Sequence, residues 1–427
     1  MHKHLILSLL IHSILFYCNK IDAQESTLYT GYTTLQKRAA LYQNLTKNIK
    51  KDLSYSLKPE YEDKWMNTFA TLELLQYTDK FVEGRIQNAF DSIILTSDEF
   101  KRSLIQLGYA NYPTKFKAQT LKLLNTTNDP EIFSFASEYF IQGANDSIKQ
   151  VCKNILHTRF EEFIESNKVL KMLSTHLDEM SKTQETLNRI TLEELLNNKF
   201  LPGEIVLFSF QRKNRDYPGL AIIRNAAGHF IKDSSNDFFH VPLLARSITG
   251  MPYYLKYGNT PQGIYKMNGF GVSMSNFIGP SPNVQLQMPV EVSPQVFFKD
   301  STITDSVWNI SFIQKLLPGS LKIYAPLYES YNAGLTGRTE IIIHGTTINP
   351  DYYFGKPYFP HTPSEGCLTT SELWNGRRIK SNQQLLINGL LKAGGGHGYC
   401  IVIDLDNKQQ AVQIEEVMSY INDAEKE

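Results

Sequence analysis

Apolar residues recur every three or four positions from about residue 28 to residue 199, and after residue 201 the pattern changes to short β-branched and aromatic runs. Leu35, Ala39, Leu41 and Leu45 recur at helical spacing, and Trp65, Phe69, Leu72, Leu75 and Tyr77 do the same. Start signals accompany the periodicity. Ser97 precedes Asp98-Glu99, Asp129 precedes Pro130-Glu131, and Thr191 with Glu194 has the spacing of a capping box. The resulting helices are joined by short polar turns, so stacked helical hairpins are one reading of this half and an irregular bundle is the other. Leu201-Pro202-Gly203 ends the helical pattern. Strands are predicted over Ile205 to Phe210, Gly219 to Arg224, His229 to Lys232, Ile264 to Met267, Val290 to Val292, Leu321 to Tyr324, Ile341 to Ile343 and Gly398 to Leu405. A short helix is expected through Glu372-Leu373-Trp374. A second, opened by the capping box Ser381 to Gln384, stops at Gly394-Gly395-Gly396. Val412, Ile414, Val417, Met418 and Ile421 predict an amphipathic helix in the tail. The fold class is therefore α+β and multidomain: a helical domain over residues 24–200, a mainly β domain over 201–405 and a tail over 406–427.

The first residues follow a different logic. Met1-His2-Lys3-His4 is a short basic stretch, Leu5 to Tyr17 is apolar, and Ala23 supplies the small residue before a cleavage point, so residues 1–23 are expected to be a signal peptide. About thirteen apolar residues are too few to span a bilayer. Lipid anchoring at Cys18 is disfavoured by the bulky Phe16 and Tyr17 before it. The chain is thus expected to be exported to the periplasm or cell envelope and not to be an integral membrane protein. Its 43 basic and 43 acidic residues balance, which gives no field for nucleic acid.

Removal of Cys18 leaves Cys152, Cys367 and Cys400, an odd number that guarantees a free thiol. Cys152 lies in a helical pattern and Cys400 in a strand, both core-like settings, and their pairing is left open. Cys367 differs, because it ends the polar turn Ser364-Glu365-Gly366-Cys367. His344 stands at a strand tip twenty-three residues earlier, followed by Gly345 and Thr346. A thiol near a histidine is the pairing that makes a cysteine nucleophile. Gly366 permits close backbone approach, and its N–H together with that of Cys367 is a candidate oxyanion site. A helix starting after Cys367 would add its dipole. Tyr352, Tyr353, Phe354, Tyr358 and Phe359 fill the intervening loop, suited to a cleft wall or a lid. His344, His361 and Cys367 lack the close ligand pairs of a zinc site, so no metal or cofactor is expected.

Ile343-His344-Gly345-Thr346 followed by Ser364-Glu365-Gly366-Cys367-Leu368 resembles the signature of the L,D-transpeptidase catalytic domain of the YkuD type. Asn259-Thr260-Pro261-Gln262-Gly263-Ile264-Tyr265 is similar to that family's Thr-Pro-x-Gly segment, and the resemblance spans roughly residues 203–405. It implies a β-rich domain, a thioester on Cys367, His344 as base, and Ser364 and Gly366 shaping the turn. Peptidoglycan stem peptides are the implied substrates. Gly345, Thr346, Tyr353, His361, Arg377 and Arg378 are the candidate substrate contacts, with His361 the rival base. Two positions depart from the signature: Glu365 stands where the family has His, and Thr369 where Arg or Asn is common. A carboxylate beside the thiol raises its pKa. Hydrolysis of the same bond, and a binding protein without catalysis, are the alternative functions.

Overall fold

The computed structural model describes residues 30–179 and 189–426, so the expected signal peptide, including Cys18, lies outside the described residues. Among the described residues nine α-helices come first: α1 (Leu35–Leu53), α2 (Glu62–Leu75), α3 (Lys80–Asp91), α4 (Asp98–Asn111), α5 (Lys117–Thr126), α6 (Pro130–Ile141), α7 (Asp146–Phe160), α8 (Lys168–Glu179) and α9 (Arg189–Leu196). Local chemistry sets their starts. Asp79, Ser97, Asp129 and Asn145 each accept a hydrogen bond from a first-turn amide of α3, α4, α6 and α7. Neighbours α2, α4, α6 and α8 form one row, and α1, α3 and α5 a second beside it. Trp65, Phe69, Phe100, Leu104, Phe133 and Leu173 fill the space between. Leu35 and Leu41 are exposed, and α1 instead buries Ile49 and Leu53. Thr191 lies inside α9 rather than at its cap.

The strands are β1 (Val206–Arg212), β2 (Gly219–Arg224), β3 (His240–Leu243), β4 (Gly263–Gly271), β5 (Asn283–Gln287), β6 (Ile342–Gly345), β7 (Leu368–Thr370), β8 (Glu372–Trp374), β9 (Arg378–Ser381) and β10 (His397–Asp406). Eight of them form one mixed sheet in the order β3-β2-β1-β10-β4-β5-β6-β7, while β8 and β9 pair separately. The β1–β10 and β6–β7 pairs are parallel and the others antiparallel. Leu244, just past β3, exchanges two 2.8 Å backbone hydrogen bonds with Thr369 of β7, so the two edges meet and the sheet nearly closes into a barrel. Strand alternation sorts the side chains into two cores. Val206, Phe208, Phe210, Ile264, Ile401 and Ile403 face one of them, together with α9 residues Leu192, Leu195 and Leu196. Leu207, Tyr265, Met267, Cys400, Val402, Ile343 and Leu368 face the other.

Five more helices complete the chain: α10 (Pro294–Phe298), α11 (Ile310–Leu316), α12 (Glu329–Leu335), α13 (Asn382–Ala393) and α14 (Glu415–Ala424). Fourteen α-helices among the described residues and one large mixed sheet make the chain α+β. Ser381 caps α13 at Gln384 N, and Gly394 ends it at φ 119°, a backbone conformation that glycine adopts without a Cβ penalty. The amphipathic tail helix is α14. Val417 and Ile421 enter the first sheet core, and Arg212 of β1 pairs with both Asp406 and Glu416.

Four expected elements differ. Val290 adopts φ 78° and Glu291 accepts amides from Met288 and Glu340, so this segment is a turn and not a strand. Leu321–Tyr324 belongs to a 3-10 turn over Ser320–Ile323. Residues 229–232 make only isolated bridges. The helix expected after Cys367 is instead β7 and β8, so no helix dipole acts on the thiol. Cys152 and Cys400 are both buried and unpaired.

The helices and the sheet interlock. Met251, Tyr254 and Leu255, from the loop before β4, join the helical core. The Tyr254 hydroxyl donates to the buried Glu138 of α6, whose other neighbour is His176 Nδ1 at 2.6 Å. Arg38 of α1 donates to Trp374 O at 2.9 Å, and the Thr30 amide donates to Gly376 O, strapping the start of the helical half over the β8–β9 turn.

Candidate active site

His344 pairs with Thr369, and Ile343 with Leu368, across the parallel β6–β7 ladder. Cys367 is the residue before Leu368, so its natural partner is Ile342. Ile343 and Leu368 both point into the core. Alternation then puts His344 and Cys367 on one common face, two residues offset on adjacent strands. Strand rise and spacing make the Cα separation about 8 Å, a distance that two side chains and one reacting group can bridge.

The imidazole is fixed. His344 Nδ1 lies 2.7 Å from Gly345 O, a carbonyl that can only accept, so Nδ1 carries the proton and Nε2 keeps its lone pair. Burial pushes the ring down to about 4, which leaves it neutral at neutral pH. Gly345 O also accepts from Gly279 N at 2.8 Å. Beneath it lies Glu372, buried, whose carboxylate accepts from Ser281 and Ser381. A Cβ on Gly345 would stand 2.0 Å from Glu372 Oε2, so only glycine fits there.

The thiol is half-buried, and its Sγ is 3.6 Å from Glu340 O. Burial pushes Cys367 up to about 11. Glu365 and Glu340 add to the rise, while the Ile342 amide and Arg338 oppose it. The pair therefore rests as neutral thiol and neutral imidazole. The turn is tightly held. Ser364 Oγ donates to Cys367 O at 2.8 Å and accepts from Gly366 N at 3.1 Å. Thr260 Oγ1 donates to Gly366 O at 2.9 Å. The Gly366 amide is thus engaged by Ser364 and is not an oxyanion donor in this arrangement, contrary to the expectation from the sequence.

The remaining candidates scatter. Thr346 Oγ1 donates to Phe277 O at 3.2 Å and accepts from Ile348 N, so its hydroxyl serves the loop. Tyr353 is fully buried, and its hydroxyl donates to Leu74 O of α2 at 3.0 Å. It anchors the loop to the helical half instead of lining a cleft. Tyr358 packs with it, and Phe354 and Phe359 are the exposed aromatics of the loop. His361 is buried near the carbonyls of Tyr358 and Pro242 with neither ring nitrogen hydrogen-bonded, and burial lowers it to about 4. Arg377 is exposed in the β8–β9 turn. Arg378 is committed to Ser281 and Gln384, at 3.0 and 2.9 Å.

Three charged groups at the site had no sequence signal. Arg338 is buried, and its guanidinium donates to the carbonyls of Tyr253, Gly258 and Asn259. Glu73, near the C-terminus of α2, faces Glu365 across the chain fold. Burial, and then Glu365, raise it to about 8. Lys256 lies close enough to Glu365 to offset part of the rise that burial causes there. No group of three or more metal-ligating side chains occurs among the described residues, and no described helix is long and apolar enough to cross a membrane. No protein-family model, curated protein or solved structure matches this chain.

Proposed function

We propose that this chain is an exported cysteine acyltransferase of L,D-transpeptidase type acting on peptidoglycan stem peptides. The observation that carries the reading is the shared β6–β7 face, which the strand register gives to His344 and Cys367 together, with His344 Nδ1 held on Gly345 O. The motif resemblance across residues 259–265, 343–346 and 364–368 supplies the substrate class.

In this reading His344 Nε2 takes the thiol proton as Sγ attacks the amide carbonyl between the L-centre of a diamino acid and a terminal D-residue. The tetrahedral adduct collapses, the C–N bond breaks, and the imidazolium returns its proton to the leaving D-amino acid. A thioester on Cys367 remains. An amine from a second stem peptide attacks it, gives its proton to Nε2, and releases the cross-linked product and the thiol. Neutral resting groups suit this sequence, because the proton moves only as the nucleophile forms. The helical residues up to about 200 then act as a wall and mount for the catalytic portion over residues 201–405.

The test is incubation with a disaccharide tetrapeptide, beside Cys367→Ala, with products read by mass spectrometry. A dimer lacking one D-amino acid, absent from the variant, is expected. A tripeptide with free D-amino acid and no dimer would replace transfer by hydrolysis. Unchanged substrate with folded protein would leave a binding role only.

A further inference from the structure

Arg338 is a buried cation whose hydrogen bonds all go to main-chain carbonyls: Tyr253 O, Asn259 O at 2.7 Å and Gly258 O at 3.0 Å. Burying a full charge is costly unless strong partners meet it. Carbonyl dipoles stabilise the guanidinium without cancelling its charge, so a net positive potential remains beside it. That charge abuts the cysteine turn. A Cβ on Gly366 would stand 2.3 Å from Arg338 Nη2 and 2.8 Å from Gly258 O, so the guanidinium lies against the bare face of Gly366. The same carbonyls belong to the loop that sends Tyr254 and Leu255 into the helical core and leads to Thr260, which holds Gly366 O.

Resting on Cys367 as the nucleophile, we propose that Arg338 is the positioning residue of this site: it clamps the Cys367 turn to the helix-docking loop and serves as the fixed counter-cation of the thiolate. The groups facing the thiol are Glu365, Glu340 and Arg338, with neutral His344 on the adjacent strand. Those facing Arg338 are Tyr265, Cys367 and Glu291, and those facing Glu365 are Lys256 and Glu73. Among them Arg338 is the cation that opposes the rise of the thiol, and it stays charged at neutral pH although burial lowers it to about 10. Lys256 acts on Glu365 and is not among the groups acting on the thiol, and the neutral imidazole cannot provide an ion pair before the proton moves. The clamp also explains why the turn needs glycine at 366, where φ is 120°.

The experiment is the pH dependence of Cys367 alkylation by iodoacetamide, localised by peptide mass spectrometry, in the full chain and in Arg338→Gln and Arg338→Lys. In Arg338→Gln we expect alkylation about tenfold slower at pH 8, a one-unit rise in thiol pKa, with the factor holding through the mildly alkaline range and closing only as the pH passes the variant's raised thiol pKa. Arg338→Lys falls between it and the wild type. A purely structural role would slow alkylation by one factor at every pH, and that result overturns the proposal. If Arg338→Gln loses its unfolding transition, the wild-type chain decides. Its Arg338 guanidinium NMR signals, assigned by their loss in Arg338→Lys, move with the alkylation midpoint under the proposal, and signals indifferent to it refute the proposal. Alkylation needs no acyl substrate, so normal pH behaviour with no stem-peptide turnover would sink the proposed function and leave the Arg338 assignment standing.

Discussion

Replacing Glu73 by Gln should stabilise the protein, and only above acid pH. Glu73 sits near the end of α2, where α2 meets the His344–Cys367 loop through the Tyr353–Leu74 hydrogen bond. Burial, and then the facing Glu365, raise its carboxyl from 4.5 to about 8. The folded state therefore holds a proton that the unfolded chain releases. Below about pH 4.5 the group is neutral in both states and costs nothing. Between 4.5 and 8 only the unfolded state ionises, so each pH unit removes up to about 1.4 kcal/mol of stability. Above pH 8 the loss is complete. The full interval would amount to about 5 kcal/mol. Glu73 is only partly covered, and water reaching the side chain reduces this to about 1–2 kcal/mol. Urea unfolding of wild type and Glu73→Gln at pH 4, 6, 8 and 9, followed by tryptophan fluorescence, measures it. The midpoints should coincide at pH 4, separate through pH 8 in favour of the variant, and then stay parallel. A difference independent of pH, or a less stable variant at pH 9, would refute the reasoning.

Further outcomes follow from the same geometry. Gly345→Ala sets a methyl 2.0 Å from Glu372 Oε2, and should lower stability in urea unfolding by about 1–3 kcal/mol and shift His344 off its carbonyl anchor, with loss of turnover. The acid limb of kcat/KM should fall near pH 4, where His344 becomes protonated and can no longer accept the thiol proton; a limb near 6.5 would mean a solvated imidazole instead. Tyr254→Phe removes the hydroxyl that meets buried Glu138 and should cost about 1–3 kcal/mol in equilibrium unfolding.

Parts of this molecule are readable from sequence because local chemistry fixes them. The Ser381 cap and the glycine stop of α13, the apolar run of β10, and the caps at Ser97 and Asp129 all lie where the residues point. Other parts depend on closure in three dimensions. Leu368, Thr369 and Thr370 are all buried because β7 is sandwiched where the sheet edges meet, so the alternation that would mark a strand is absent. Val290 fails as a strand because its backbone turns to positive φ. Within the site, His344 and Cys367 were visible by residue type and spacing. Arg338 and Glu73 were not, since a single arginine before a strand and a glutamate on an amphipathic helix carry no local signal. Tyr353 read as a cleft residue because nothing in the sequence reveals that Leu74 waits for its hydroxyl.

The central claim is that Cys367 accepts an acyl group with His344 as its base. Intact-mass measurement of the full chain mixed with tetrapeptide donor and no acceptor tests it most directly. The account predicts a transient adduct equal to the donor minus its terminal D-amino acid, mapped to Cys367, absent from Cys367→Ala and formed far more slowly in His344→Ala. A folded chain that forms no adduct, or one that acylates equally well without His344, would contradict it.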